Sequence, residues 1–284
     1  YGSDGFWITI WNLNQLWPLI TPKVTSDWVK SFLEIYDKGG WLPKGPTGIE
    51  YSGIMVASHQ IAFITGAYMK GIRDFDVDKA WEAVHKLQTV PGGPHKAGGE
   101  VGNRNLEEYM KYGFVPEEYG PISNTLEYAY DDWSVGQFAR ALGKEKEYKI
   151  FTKRAFNYEN IYDPRVGYMR RKHANGEWYK DFSPYGQVTF LGQGYVEGNA
   201  WQFTYFVPHD LKGLINLMGA DEFNDRLDKG FEESAPHHFN SEHLGSNSLT
   251  GMGVLPVNHG KQPNMQAAWL FNYSGKPWLT QKWV

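Results

Sequence analysis

The sequence predicts an all-α fold, a toroid of helical hairpins with one small β-hairpin inserted, and three observations predict it. Helix-period apolar patterns recur between Gly/Pro-rich loops along the whole chain. Helices that are apolar nearly all round alternate with amphipathic ones, at a spacing of ~50–70 residues, as inner and outer rings of hairpins do. Capping residues stand at the starts of these segments and glycines at their ends. Five inner helices can be counted where a closed ring of six hairpins needs six, so the ring is expected to be incomplete, with Val284 inside or just before the fifth outer helix.

The elements follow in order. Helices are expected over Phe6–Ile20, Ser26–Lys38, Ile54–Lys70, Val77–Gln88, Asn124–Leu142, Glu145–Tyr162, Ala200–Met218, Asp221–Glu233 and Asn264–Tyr273. Those beginning at Phe6, Ile54, Asn124, Ala200 and Asn264 read as buried; the other four carry Lys and Glu on one side. Thr25/Ser26, Asp76 and Ser123/Asn124 (the last with Glu127 beyond it) are start signals. Gly39, Gly71, Gly143 and Gly219 fall where helix ends need a left-handed residue. Between Gly167 and Lys180, Asn175-Gly176 separates GYMRRKH from EWYK and predicts a hairpin turn. No linker or low-complexity tract divides the 284 residues, so one domain is expected.

Composition narrows the function. The formal charge of −4 makes no basic field for nucleic acid or an anionic membrane, and no stretch nears the ~18 apolar residues of a membrane span. With no cysteine there is no thiolate nucleophile, thiolate metal site or disulfide. Phosphate-cradling loops, HExxH, GxSxG and a dinucleotide fingerprint are missing from the sequence. What is abundant is aromatic surface, 16% of residues with 12 Trp and 18 Tyr, which fills cores and also stacks on sugar rings.

Four stretches carry chemistry. In YVEGNAWQFTYFVPHD, Glu197 precedes Gly198-Asn199 and a buried helix. It reads either as a general acid made by apolar neighbours or as a carboxylate at a helix N-terminus. In LEYAYDDW, Glu127 and Asp131 are four apart and share a helix face, whereas Asp132 points elsewhere; burial against Arg or Lys explains them as well as function does. VNHGKQPNMQ gathers Asn258, His259, Lys261, Gln262, Asn264 and Gln266 in a Gly/Pro loop, donors and acceptors suited to hydroxyls or to a hard cation such as calcium, or simply a solvated loop. GFWITIWNLNQLW offers Trp7 as a sugar platform or as core. Asp210 and the His237, His238 and His243 group read as structural and as loop.

Six segments in order, GFWITIWNLNQLWPL, GGWLPKGPTGIEYSGIMVASHQIAFITGAYMKGIRDFD, SNTLEYAYDDW, FTKRAFNY, YVEGNAWQFTYFVPHDLKGLINLMG and VNHGKQPNMQAAWLFNYSGKPWLTQKW, cover nearly the whole chain. Together they resemble glycoside hydrolase family 92, the calcium-dependent, inverting, exo-acting alpha-mannosidases. The resemblance implies an (α/α)6 toroid whose residues 1–284 are part of the catalytic domain, preceded in the family by a β-sandwich. It implies action on terminal mannose of N-glycans or mannans, calcium as cofactor, and a secreted or periplasmic setting.

By position, Glu197 matches the family's general acid. Trp7, Asn199, Trp201, His259, Lys261, Gln262 and Asn264 fall on its sugar-binding segments, with Asn264 and Gln266 as calcium ligands. Many family members that cleave alpha-1,2 linkages read His-Gly-Asn-Glu-Pro where this chain reads His259-Gly260-Lys261-Gln262-Pro263. The change favours another linkage or a leaving group with negative charge. Ile8 replaces an Asp or Asn. The family's general base follows the PWLTQKW stretch in a Gly-x-x-Asp motif, so these 284 residues are expected to be inactive without the remainder of the polypeptide. A silent glycan-binding toroid and a structural protein-interaction domain are the competing expectations.

Overall fold

The computed structural model describes residues 5–44, 51–53 and 56–284. Helices dominate, and the strands are all two residues long. The chain forms two compact units, residues 1–111 with 127–156, and residues 112–126 with 157–284.

In the first unit the helices are α1 (Phe6–Thr9), α2 (Leu13–Ile20), α3 (Pro22–Gly39), α4 (Gln60–Met69), α5 (Val77–Leu87), α6 (Leu106–Tyr112), α7 (Asn124–Ala141, of which all but the first turn belongs here) and α8 (Glu145–Arg154). A pair of antiparallel strands, β1 (Gly93–Pro94) and β2 (Glu100–Val101), stands between α5 and α6. Phe6, Val29, Phe32, Ile61, Phe63, Ile64, Val84, Leu87, Phe138 and Phe151 make the core. Each is worth roughly 1.5–3 kcal/mol of burial before conformational entropy is charged against it. Asp76 caps α5 by accepting from Lys79 N–H (3.0 Å), and Gly40, one residue past the expected Gly39, ends α3 in the left-handed region. The expected helix over Phe6–Ile20 is two helices, because Asn12 turns the chain and caps α2 through Leu13 N–H. The helix expected from Ile54 starts at Gln60; Ile54 and Met55 lie outside the described residues.

The second unit holds β3 (Tyr162–Asp163) paired antiparallel with β4 (Tyr168–Met169), and β5 (Val188–Thr189) paired parallel with β6 (Tyr195–Val196). Its helices are α9 (Ala200–Thr204), α10 (Leu211–Met218), α11 (Ala220–Ser234), α12 (Ser248–Gly251) and α13 (Pro277–Trp283). The expected hairpin forms about Asn175-Gly176, with Lys172 bridged to Trp178 and Gly176 at φ 89°. The expected single helix Ala200–Met218 is broken: Pro208 lacks the N–H a helix would need there, and Asp210 starts α10 by accepting from Gly213 N–H. The segment from Asn264 is not an α-helix either. It runs as short 3-10 turns, Gln262–Asn264 and Ala267–Asn272. The expected helix Glu145–Tyr162 ends at Arg154 and gives way to a 3-10 turn at Asn157–Ile161.

Candidate active site

Glu197 is placed by a short, over-determined piece of backbone. Val196 N–H donates to Ser123 Oγ (3.0 Å) and Glu197 N–H to Thr189 O (2.8 Å), which extends the β5–β6 ladder by one residue. Glu197 itself sits at φ 50°, a left-handed conformation that costs a side-chain-bearing residue about 1 kcal/mol or more. Its side chain is 22% exposed. The helix that follows is capped not by Glu197 but by Asn199, whose Oδ1 accepts from Gln202 N–H (2.9 Å). The capping explanation of Glu197 therefore falls to its neighbour. Asn199, which falls on an expected sugar-binding segment, also donates to Gly253 O and Leu255 O and is fully buried, so its side chain braces the site.

Glu197 Oε2 accepts from the ammonium of Lys261, a residue only 3% exposed. Lys261 belongs to a turn that its own side chains tie together. Asn258 N–H donates to Asn264 Oδ1 (3.0 Å), Gly260 N–H to Asn258 Oδ1 (2.9 Å), and Lys261 N–H to Asn258 O (3.0 Å). Asn264 is buried in this role, its amide nitrogen also 3.5 Å from Gln202 O. His259 lies exposed, its ring against Phe231 and Phe239.

Five amide oxygens of this unit are buried and have no hydrogen-bond partner among the described residues: Asn124 Oδ1, Gln187 Oε1, Gln202 Oε1, Gln262 Oε1 and Gln266 Oε1. Gln202 is oriented by its nitrogen, which donates to Met252 O and Leu255 O. Its oxygen is thereby turned toward Gly198, 2.7 Å from where a Cβ there would stand. Unsatisfied neutral oxygens are costly when buried and are the donors a hard cation or a sugar hydroxyl takes. Gln202 was missed in the sequence, although it lies five residues after Glu197 and is the one amide in its short helix. Among the described residues no group of three or more His, Asp and Glu is placed to hold a metal.

Trp201 and Trp7 are not open sugar platforms. Trp201 is 4% exposed and packs on Tyr205 at 5.0 Å, within the second unit. Trp7 belongs to the first unit, is 5% exposed, and donates its indole N–H to Glu127 Oε1 (2.9 Å). Ile8 beside it is 48% exposed.

The acids of the first unit form a sealed network. His59, fully enclosed, lies between Glu127 Oε2 and Asp131 Oδ1, each 2.8 Å from one ring nitrogen. Ser58 N–H donates to Asp131 Oδ2 (2.8 Å). Burial opposes a charge on His59, but the two carboxylates outweigh it and lift the pKa to about 10. Asp132 turns the other way, to Arg154 and the Tyr109 hydroxyl, and burial raises it to about 7 against the pull of Arg154. Burial also lowers Lys44 to about 7; its ammonium donates to Gly102 O and Asn103 Oδ1.

The model of the glycosyl hydrolase family 92 catalytic domain matches residues 1–284. A curated relative from Arthroderma benhamiae, described as an uncharacterized secreted glycosidase, is 29% identical over 300 residues, covering 95% of this chain and 35% of the relative. Among solved structures, the inverting mannosidase BT2199 of Bacteroides thetaiotaomicron superposes with a TM-score of 0.83 at 30% identity, over 98% of this chain and 38% of that one. The alpha-mannosidase BT3965 of the same organism, in complex with mannoimidazole, gives 0.81 at 28% identity, over 100% of this chain and 36% of that one. The chain thus spans a little over a third of the length of these relatives.

Proposed function

From the premise that this chain belongs to glycosyl hydrolase family 92, we propose that its protein hydrolyses terminal alpha-mannosides with inversion and that Glu197 is the general acid. The observation that carries the assignment is the strained, partly open carboxylate held by a buried lysine. Lys261 holds Oε2 and fixes the carboxyl plane; a proton carried on Oε1 would pass to the glycosidic oxygen as the bond breaks, and the ammonium would stabilise the carboxylate that remains. Inversion also needs a second carboxyl group ~6.5–9.5 Å from the acid, to activate water. On the resemblance that group belongs to sequence following the Pro277–Trp283 stretch, in a ring of (α/α)6 type of which these residues form the larger part. A preceding β-sandwich and a secreted or periplasmic setting belong to the same reading. That the structural relatives are mannosidases supports the substrate class.

Calcium belongs to the same reading, with unsatisfied amide oxygens as its candidate ligands. The unsatisfied oxygens of Gln202 and Gln266 would supply neutral ligands, while Asn264 has one lone pair already engaged by Asn258 N–H. When bound, the cation would hold and polarise two sugar hydroxyls. The test uses the full-length protein. Glu197→Gln should lower kcat/KM on an alkyl mannoside by ~10²–10⁴-fold and far less on an aryl mannoside, whose leaving group needs little protonation. Equal losses on both would remove Glu197 from the acid's role.

A further inference from the structure

Beside the Lys261 loop stands an acid the site above does not use. Glu242 opens a single 3-10 turn, Glu242–Leu244, and is half-buried. Its Oε1 lies 3.6 Å from the point a Cβ on Gly260 would occupy. Turn and loop are fastened to each other: Asn258 Nδ2 donates to the buried Ser241 Oγ (2.9 Å), and His259 N–H donates to Phe239 O (2.8 Å). Ser248 Oγ holds Glu242 Oε2 at 3.3 Å, and Glu242 N–H reaches Asn240 Oδ1 at 3.1 Å. Gly260 has no side chain to intervene, and a methyl there would press on Asn258 Oδ1 at 3.0 Å.

Within three residues the loop therefore separates its charges. The ammonium of Lys261 is buried and turned onto Glu197. Gly260 and His259 are exposed, and the charge at their side is the carboxylate of Glu242. On the acid reading of Glu197, a group that takes its proton would leave beside Glu197 and Lys261, the residue next to Gly260. We propose that Glu242 is the specificity-determining residue for that leaving group, accepting hydrogen bonds from the hydroxyls of a neutral sugar and repelling an anion; the proposal rests on the mannosidase reading of Glu197. An ionised carboxylate accepts only, and its bonds to hydroxyls are charge-assisted and strong, whereas a phosphate would meet like charge. The leaving group with negative charge that Lys261 suggests in the sequence is thereby reversed, because its cation is already engaged by Glu197.

The experiment compares full-length wild type, Glu242→Gln and Ser248→Ala on α-mannobioses, 4-nitrophenyl α-mannoside and α-mannose 1-phosphate. Glu242→Gln should cut kcat/KM on mannobiose about tenfold or more. It should leave the aryl mannoside within about twofold and improve the phosphate relative to mannobiose. Ser248→Ala, which loosens the carboxylate without removing it, should give a smaller loss confined to mannobiose. Calorimetric binding of mannobiose should weaken in parallel. Wild type that binds mannobiose through Glu242 without hydrolysing it would sink the mannosidase reading and leave this subsite standing; no binding would sink both. Equal losses on mannobiose and aryl mannoside, an unchanged mannobiose value, or wild type preferring the phosphate would each overturn the proposal.

Discussion

Each unit of the chain encloses a glutamate paired with a cation, and the two pairs are built for different ends. In the first unit, Glu127 and Asp131 grip His59 from both ring nitrogens, every group is fully buried, and Trp7 and Ser58 satisfy the remaining oxygens. In the second, Glu197 meets a single lysine from a left-handed backbone position, stays 22% exposed, and has an unsatisfied amide oxygen, that of Gln202, facing the adjacent glycine. Completeness is the difference. A charge network closed on every side contributes to the fold alone, because nothing can enter it. One left open and strained still has interactions to offer a ligand.

The comparison can be broken most forcefully in the first unit. Glu127→Ala should destabilise the protein by about 3–5 kcal/mol, since it strands a buried imidazolium, and a urea midpoint would read the loss. A shift below ~1 kcal/mol would mean the network is not closed. A second, intermediate effect is the pH dependence of the same histidine. Its pKa rises from ~6.5 unfolded to about 10 folded. The stabilisation is thus complete below pH ~6.5 and drains away as pH climbs through 10, at up to ~1.4 kcal/mol per unit. Wild type should lose stability across that window and a His59→Leu variant should not show the same slope. The smallest effect belongs to the second unit. Lys261→Met should change stability by no more than about 1 kcal/mol, because a partly open Glu197 can turn to water. A loss as large as that of Glu127→Ala would erase the distinction.

The sequence shows most of this scaffold and less of its chemistry. Val77–Leu87, Asn124–Ala141 and Ala220–Ser234 follow their caps and periods closely, because local signals decide them, whereas the helix from Glu145 keeps only its expected start. The break at Pro208 was written in the sequence too, but an aromatic run with helical spacing obscured it. The short α6, charged and set among glycines, has too little periodicity to be read. At the acids, the spacing of Glu127 and Asp131 gave a shared face, and the Arg or Lys expected for them is present only for Asp132, as Arg154. The partner of the other two is His59, 68 and 72 residues away, and nothing local specifies such a distance. Trp7 and Trp201 were aromatic enough for sugar platforms, but only tertiary burial shows their faces covered. Glu197 was legible as a candidate; its lysine, its backbone strain and the unsatisfied Gln202 oxygen were not.

That left-handed backbone at residue 197 sets two kinds of selection against each other. A glycine there would relax the main chain at no steric cost, and an asparagine would tolerate it more easily than a glutamate does. A laboratory lineage chosen for heat resistance alone would drift toward those residues, and one chosen for turnover would hold the acid. The identity of a single residue would then reveal which demand a variant had been bred to meet.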